Sequence, residues 1–308
     1  MARWKLIADW AKERPAVLHL ADRLGRSRGR LAVLDRLAPP PPPAPVRPDV
    51  PAFLRSEVGC IWVGHATVLL RIAGRTILTD PVTSARVGLG LGLTTVGPRR
   101  RVAAALDVRQ LPPIDLVLIS HAHFDHLDRP TLARLPQRPP VVTSAHTADL
   151  LRDLRYRDVT ELRWGESTGV GPLRLTAQPV AHWGARTFHD DHRGYNAYTI
   201  ESTGEGPRRR ILIGGDTAYH TRWRETGPVD LAVVGIGAYN PYIRGHADPE
   251  QAWEMAGHVQ AAAVLPMHWA TFRLSYEPWE EPIERLMTAA GADAGRVVVR
   301  QVGGQWGM

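Results

Sequence analysis

The sequence predicts an α+β fold in which two β-sheets pack together under covering helices. Three observations carry that expectation. Apolar runs of strand length recur in both halves of the chain, stretches of helical periodicity fall between them, and 44% of the 308 residues are apolar against 22% charged. A chain of this size and balance has enough apolar side chains for one large core and too little charge for a disordered polymer. The organisation expected is an N-terminal extension over residues 1–50 followed by a catalytic domain over residues 51–308.

Taken in order, the extension begins with Trp4, Ile7, Ala8 and Ala11 on one helical face and Lys5, Asp9 and Lys12 on the other, an amphipathic pattern that Pro15 interrupts. Leu18, Ala21 and Leu24 start a second such pattern. Either can pack against the body or lie on a membrane surface, where Trp and basic residues are favoured. The proline run Pro39 to Pro43, continued by Pro45 and Pro48, reads as an extended linker or strap.

Strand-like runs then follow at Val58 to Val63, Val68 to Ile72, Thr76 to Thr79, Asp115 to Ser120, Val141 to Thr143, Leu173 to Val180, Arg210 to Gly214, Asp230 to Ile236 and Ala262 to Met267. Helices are expected at Thr131 to Leu135, Ala148 to Arg155, Pro249 to Gln260 and Pro282 to Ala290, the third opened by Asp248 and Pro249 as cap and first position.

The formal net charge is +7, almost all of it arginine, because Lys5 and Lys12 are the only lysines. Such a surface suits an anionic partner: phospholipid headgroup, phosphate ester or nucleic acid. Cys60 is the only cysteine, which excludes an internal disulfide and a multi-cysteine zinc site, and its apolar neighbours make it a buried thiol. No run reaches the roughly 20 apolar residues of a membrane span and no signal peptide is evident, so the expected location is cytoplasmic, with peripheral attachment to the inner face of the membrane left open.

The chemistry gathers after the run Ile114 to Ile119, in Ser120-His121-Ala122-His123-Phe124-Asp125-His126-Leu127-Asp128. A loop at a strand end can turn alternate side chains to one point, so that His121 and His123 share one cation while Asp125 and His126 reach a second. Zinc accepts imidazole nitrogen and carboxylate oxygen, and catalytic sites leave a position open for water. His182, Asp216 and His268 each follow an apolar strand and complete a set of ligands for two ions, zinc above all, with manganese or iron as substitutes.

On these residues the chain resembles the metallo-β-lactamase superfamily, whose hallmark is His-x-His-x-Asp-His followed by separated His, Asp and His. Within it the sequence is similar to the N-acylphosphatidylethanolamine phospholipase D group and the related ascorbate-phosphate lactonases, through segments such as Trp62-Val63-Gly64-His65-Ala66-Thr67, Leu78-Thr79-Asp80-Pro81, His182-Trp183, Gly215-Asp216-Thr217 and His268-Trp269. The resemblance covers roughly residues 58 to 290 and implies a four-layer αββα sandwich. It implies that His121, His123 and His182 hold the first zinc, Asp125, His126 and His268 the second, and Asp216 bridges, with His65 and Asp80 orienting ligands. Two stretches depart from the phospholipase pattern, Arg193 to Tyr198 and Asn240, and both are expected to face substrate.

The reaction expected is attack of a metal-bridging hydroxide on a phosphodiester of an N-acylphosphatidylethanolamine-like lipid. Asp125 and His246 are the expected catalytic residues, His246 helping to protonate the leaving alkoxide or else orienting the helix that follows it. Trp183, Tyr239, Tyr242 and Trp269 are expected to line the pocket. The alternatives are a small-molecule phosphodiesterase or lactonase of the same fold, and a membrane- or nucleic-acid-binding protein with a structural metal site. No nucleic-acid partner is expected, because no separate basic clamp is evident; a homodimer is left open.

Overall fold

The computed structural model describes residues 39–308 except 92, 93 and 188. The amphipathic patterns around Trp4 to Ala11 and Leu18 to Leu24 lie outside the described residues. The first sheet is built from β1 (Val58–Gly64), β2 (Thr67–Ile72) and β3 (Arg75–Thr79), and a short antiparallel pair follows, β4 (Leu89–Leu91) with β5 (Thr94–Val96). The sheet continues with β6 (Leu116–Ile119), β7 (Val141–Ser144) and β8 (Val159–Leu162). The second sheet comprises β9 (Ser167–Val170), β10 (Leu173–Gln178), β11 (Ala197–Ser202), β12 (Arg210–Ile213), β13 (Leu231–Gly235) and β14 (Ala263–Met267), before β15 (Gln305–Gly307) returns to the first. The strand orders are β15-β1-β2-β3-β6-β7-β8 and β14-β13-β12-β11-β10-β9.

Alternation along the strands explains why the sheets stack. β1 is buried along its whole length, and Val58, Cys60 and Trp62 join a core that also holds Tyr198, Ile200 and Leu212 of the second sheet. Ile61 and Val63 point the other way and pack with Phe53, Leu132 and Leu151. A strand covered on both faces has no polar side to show, which is why β1 reads as a continuous apolar run. Cys60 is buried, and burial pushes its thiol up to about 12.

The helices cap as their sequences require. α1 (Val50–Arg55) starts at Asp49, whose carboxylate accepts from the Ala52 amide. α2 (Arg129–Arg134) starts at Asp128. α3 (Pro249–His258) has a capping box of Asp248 with Gln251, and its buried Ala252, Met255 and Ala256 cover the second sheet beside Leu286 of α4 (Glu281–Ala290). With α1 and α2 on the first sheet and α3 and α4 on the second, the order of layers is αββα. The stretch Ala148–Leu154, expected as an α-helix, is instead a 3₁₀ helix ended by Arg155 in a left-handed conformation.

Residues 42 to 49 are tied to the body: the Ala103 amide donates to the Pro42 carbonyl and the Val46 amide to the Val302 carbonyl. β4, β5, β8, β9, β11 and β15 fall outside the expected strand runs. β8 and β9 are edge strands with mixed burial, so their side chains carry little apolar periodicity. No helix among the described residues is long and apolar enough to cross a membrane.

Candidate metal centre

Ligand-bearing loops leave both sheets at one edge. On the first sheet, β6 ends at Ile119 and the loop is at once gripped by Asp80, which follows β3: its Oδ1 accepts from the Ser120 amide and its Oδ2 from the Ser120 hydroxyl, both at 2.7 Å. The His126 and Leu127 amides both donate to the His123 carbonyl, folding the loop back on itself. That turn brings His121, His123, Asp125 and His126 round to one side. Asp128, part of the same charged run, instead caps α2 by accepting from the Thr131 amide.

The second sheet contributes one ligand per strand end. Asp216 follows β12 through Gly214 and Gly215; Gly215 has φ +58°, and a Cβ there would lie 2.9 Å from the Asn196 carbonyl oxygen, so only glycine allows the approach. His268 follows β14 directly, its amide donating to the His65 carbonyl. His182 lies beyond β10, where the Ala181 amide donates to the Thr217 hydroxyl.

The seven expected ligands meet. His121 Nε2 lies 2.8 Å from His123 Nδ1, and His182 Nε2 lies 3.3 Å from that same nitrogen. Asp216 Oδ2 is 3.9 Å from His121 Nε2 and 3.7 Å from His182 Nε2, and it is also 3.1 Å from both His126 Nε2 and His268 Nε2. Asp125 Oδ2 closes the second group at 3.4 Å from His268 Nε2 and 3.9 Å from His126 Nε2. Two groups of ligand atoms therefore share one carboxylate oxygen.

The far side of the rings aims the near side. His182 Nδ1 can only donate to the Gly245 carbonyl at 2.8 Å, which leaves the Nε2 lone pair free for a cation. His126 Nδ1 lies 2.8 Å from Asp80 Oδ2, again freeing Nε2. Buried His126 Nε2, His268 Nε2 and Asp216 Oδ1 make no aligned hydrogen bond among the described residues. Buried polar atoms are rarely left so, and their convergence fits a metal ion.

Charge points the same way. Burial opposes ionisation of Asp125 and Asp216, but the surrounding imidazoles outweigh it and hold both carboxyls well below their usual range. Burial and crowding by neighbouring rings keep His121 and His123 neutral, and burial lowers His182 to about 4. Burial also disfavours charge on His126 and His268, yet Asp216 and the nearby carboxylates win, raising His126 well above the ordinary value and His268 to about 9. Two buried carboxylates thus demand positive charge, which protons supply to these two rings when no cation is present.

The remaining expected residues are placed as follows. His65 is fully buried with Nε2 2.9 Å from Asp125 Oδ2, close enough to belong to the second group as well as to orient it. His246 Nδ1 lies 3.8 Å from Asp216 Oδ2, with its ring 5.1 Å from those of His182 and His268, so that Asp216, His246 and His268 form a third group of possible ligands. Trp183 lies against the site, its ring tilted 4.2 Å from that of His182 and edge-on 5.0 Å from that of His123. Trp269 packs in the core, its ring 5.5 Å from Trp62, and also borders a small cavity beside His268. Tyr239 is buried too, its hydroxyl donating to Glu281 and its ring under Arg285. Tyr242 is half-buried, and its carbonyl accepts from the Gly245 and His246 amides.

In the stretch Arg193 to Tyr198, expected to face substrate, Asn196 and Tyr198 turn inward instead. Asn196 donates to the Leu162 carbonyl and Tyr198 to the Ile119 carbonyl, so both are buried supports beneath the metal loop. Asn240 is exposed, and its amide donates to Glu277. Sequence reasoning missed Glu277, a buried carboxylate that also accepts from the Ala238 amide and the Ser275 hydroxyl and so holds the loop leading to His246. It missed Arg186 as well, although four residues after His182 is a position worth inspecting. Nothing in the local pattern marks Glu277.

Comparison with known proteins agrees with this geometry. The family model described as "Beta-lactamase superfamily domain" matches residues 75–269. A protein of Mycobacterium bovis named only as uncharacterized is 35% identical over 268 residues, covering 81% of this chain and 69% of its own. The N-acyl-phosphatidylethanolamine-hydrolyzing phospholipase D 1 of Caenorhabditis elegans is 30% identical over 247 residues, covering 73% of this chain and 67% of its own. Among solved structures, an isothiocyanate hydrolase from Delia radicum gut bacteria aligns with a TM-score of 0.65 at 17% identity, over 81% of this chain and 99% of its own, a likeness of fold alone. With the family model spanning most of the domain and the His and Asp ligands clustered as a metal-dependent hydrolase requires, the chain belongs to the β-lactamase superfamily.

Proposed function

We propose that this protein is a two-zinc phosphodiesterase that cleaves N-acylphosphatidylethanolamine-like lipids. The observation that carries the metal count is the position of Asp216 Oδ2, within contact of His126 and His268 on one side and facing His121 and His182 on the other. His121, His123 and His182 would hold one ion, Asp125, His126 and His268 the other, and Asp216 both. When bound, such a pair supplies a water nucleophile near neutral pH and positive charge opposite the phosphoryl oxygens.

The protein's own groups do the rest. Burial keeps His246 well below the ordinary imidazole pKa, so its ring is neutral at pH 7. A neutral ring has no proton to give at the outset. It therefore first accepts one from the attacking water and then returns it to the alkoxide as the P–O bond breaks. Trp183 walls the site without adding charge, which suits an apolar substrate chain better than a polyhydroxylated ring. Similarity to the worm phospholipase and the excess of arginine support a lipid phosphodiester drawn from a membrane surface.

The test compares a long-chain N-acylphosphatidylethanolamine, bis-p-nitrophenyl phosphate and ascorbate 6-phosphate lactone under equal zinc. The lipid should be turned over fastest. Faster turnover of the lactone would end the lipid reading, and reaction of the short diester alone would leave a phosphodiesterase with a different natural ester.

A further inference from the structure

Arg186 belongs to none of the ligand groups, yet it touches the metal loop at both ends. Its Nη1 donates to the Ala122 carbonyl at 2.9 Å and to the Leu127 carbonyl at 2.8 Å. Ala122 and Leu127 are fully buried, and their carbonyls bracket the run His123 to His126. The guanidinium lies 3.9 Å from the centroid of the Phe124 ring, in the middle of that run. A single planar cation thus satisfies two buried carbonyls and stacks on the side chain between them, and a lysine ammonium has no plane with which to stack.

The segment that carries Arg186 is itself anchored. The Thr187 amide donates to Asp190 Oδ1, Asp190 Oδ2 accepts from Arg193, and Arg193 reaches on to Asp149. A Cβ on Gly184 would come within 2.4 Å of the Arg193 and Gly194 carbonyl oxygens, so the chain between His182 and Arg186 packs directly against the 193–194 backbone. His182 and Arg186 therefore sit four residues apart on one short, closely packed segment.

We propose that Arg186 is a positioning residue that sets the register between the His121–His123 loop and His182, and so the affinity of the first ligand group for its metal. The proposal rests on the reading that this group holds an ion. His121 and His123 come from the first sheet and His182 from the second, and Arg186 bonds directly between those two segments. The second group depends on it less, because Asp80 already fixes His126, His65 Nε2 holds Asp125 at 2.9 Å and the His65 carbonyl fixes His268.

The test measures zinc affinity by competition with a chromophoric chelator, with the two groups separated by mutation. Arg186→Lys is placed in a His268→Ala background, where the first group is intact, and in a His121→Ala background, where the second is. Zinc affinity should fall by about 10–100-fold in the first background, the range found when a partner of a metal ligand is lost, and change little in the second. The absorption spectrum of the cobalt-substituted protein should shift in the first background alone. Equal losses in both would mark Arg186 as a general support and overturn the proposal, as would unchanged affinity in the first. A wild-type protein that binds no zinc would overturn the metal reading and this proposal with it.

Discussion

The two sheet edges that meet at the metal centre supply their ligands in opposite ways. The first sheet delivers four in six consecutive residues, His121 to His126, on one loop after β6. The second delivers three, His182, Asp216 and His268, from three separate strand ends. A loop that folds back on its own carbonyl, as the His126 and Leu127 amides do on His123, can turn successive side chains to one point. A strand end has neighbours on either side and offers one side chain before the chain must leave. The compact loop needs support from elsewhere, which Asp80, Asn196, Tyr198 and Arg186 provide. The dispersed set is placed by strand pairing and by single bonds from outside, Gly245 to His182 and His65 to His268.

The comparison is broken most severely at Asp216, the one group both ligand sets share. Asp216→Asn should retain at most one metal ion per chain by elemental analysis. Losing a shared metal site removes several kcal/mol of transition-state stabilisation, so kcat for a diester should drop by about a thousand-fold. Two tightly held ions in this variant would show that the second sheet's contribution is dispensable.

Asp80→Asn tests the claim that the first sheet's loop depends on outside support. The amide side chain keeps the volume but loses a charged acceptor for the Ser120 amide, the Ser120 hydroxyl and His126. Metal affinity should fall by about 10–100-fold with the fold preserved by circular dichroism. Unchanged affinity would mean that the loop holds its shape unaided.

The smallest effect concerns the metal-free protein, where both edges carry misfit protons. His182 is lowered to about 4 and His65 to about 3, in each case chiefly by burial. Both lie below the unfolded value of about 6.5. Their contribution to stability is complete above that value and is lost as pH falls through about 4, because the unfolded chain binds protons that the folded chain refuses. His268 is raised to about 9 by Asp216 and Asp125 against the cost of burial. Its contribution is complete below about 6.5 and is lost as pH rises through about 9. Melting temperatures of chelator-treated protein between pH 4 and 9.5 should therefore peak near the crossing of the two windows, and zinc should flatten the alkaline limb. A steady rise to pH 9.5 would contradict the raised His268.

The sequence by itself determined the metal loop, the strands that carry each ligand and the cap of α3, because these are written in contiguous residues: an apolar strand followed at once by His121 to His126, or Asp248 followed by Pro249. It also pointed to His182, Asp216 and His268, since each stands where an apolar run stops. Only the tertiary structure decided which residues support them. Glu277 and Arg186 act on main-chain groups far away in sequence, Ala238 for the one and Ala122 and Leu127 for the other, and a hydrogen bond to a distant carbonyl or amide leaves no periodic trace. Tyr198 was misplaced, and Trp269 put partly in the core, for a related reason. An aromatic side chain is equally at home in a pocket wall or a core, and only the stacking of the two sheets put Trp269 against Trp62 and aimed the Tyr198 hydroxyl at Ile119.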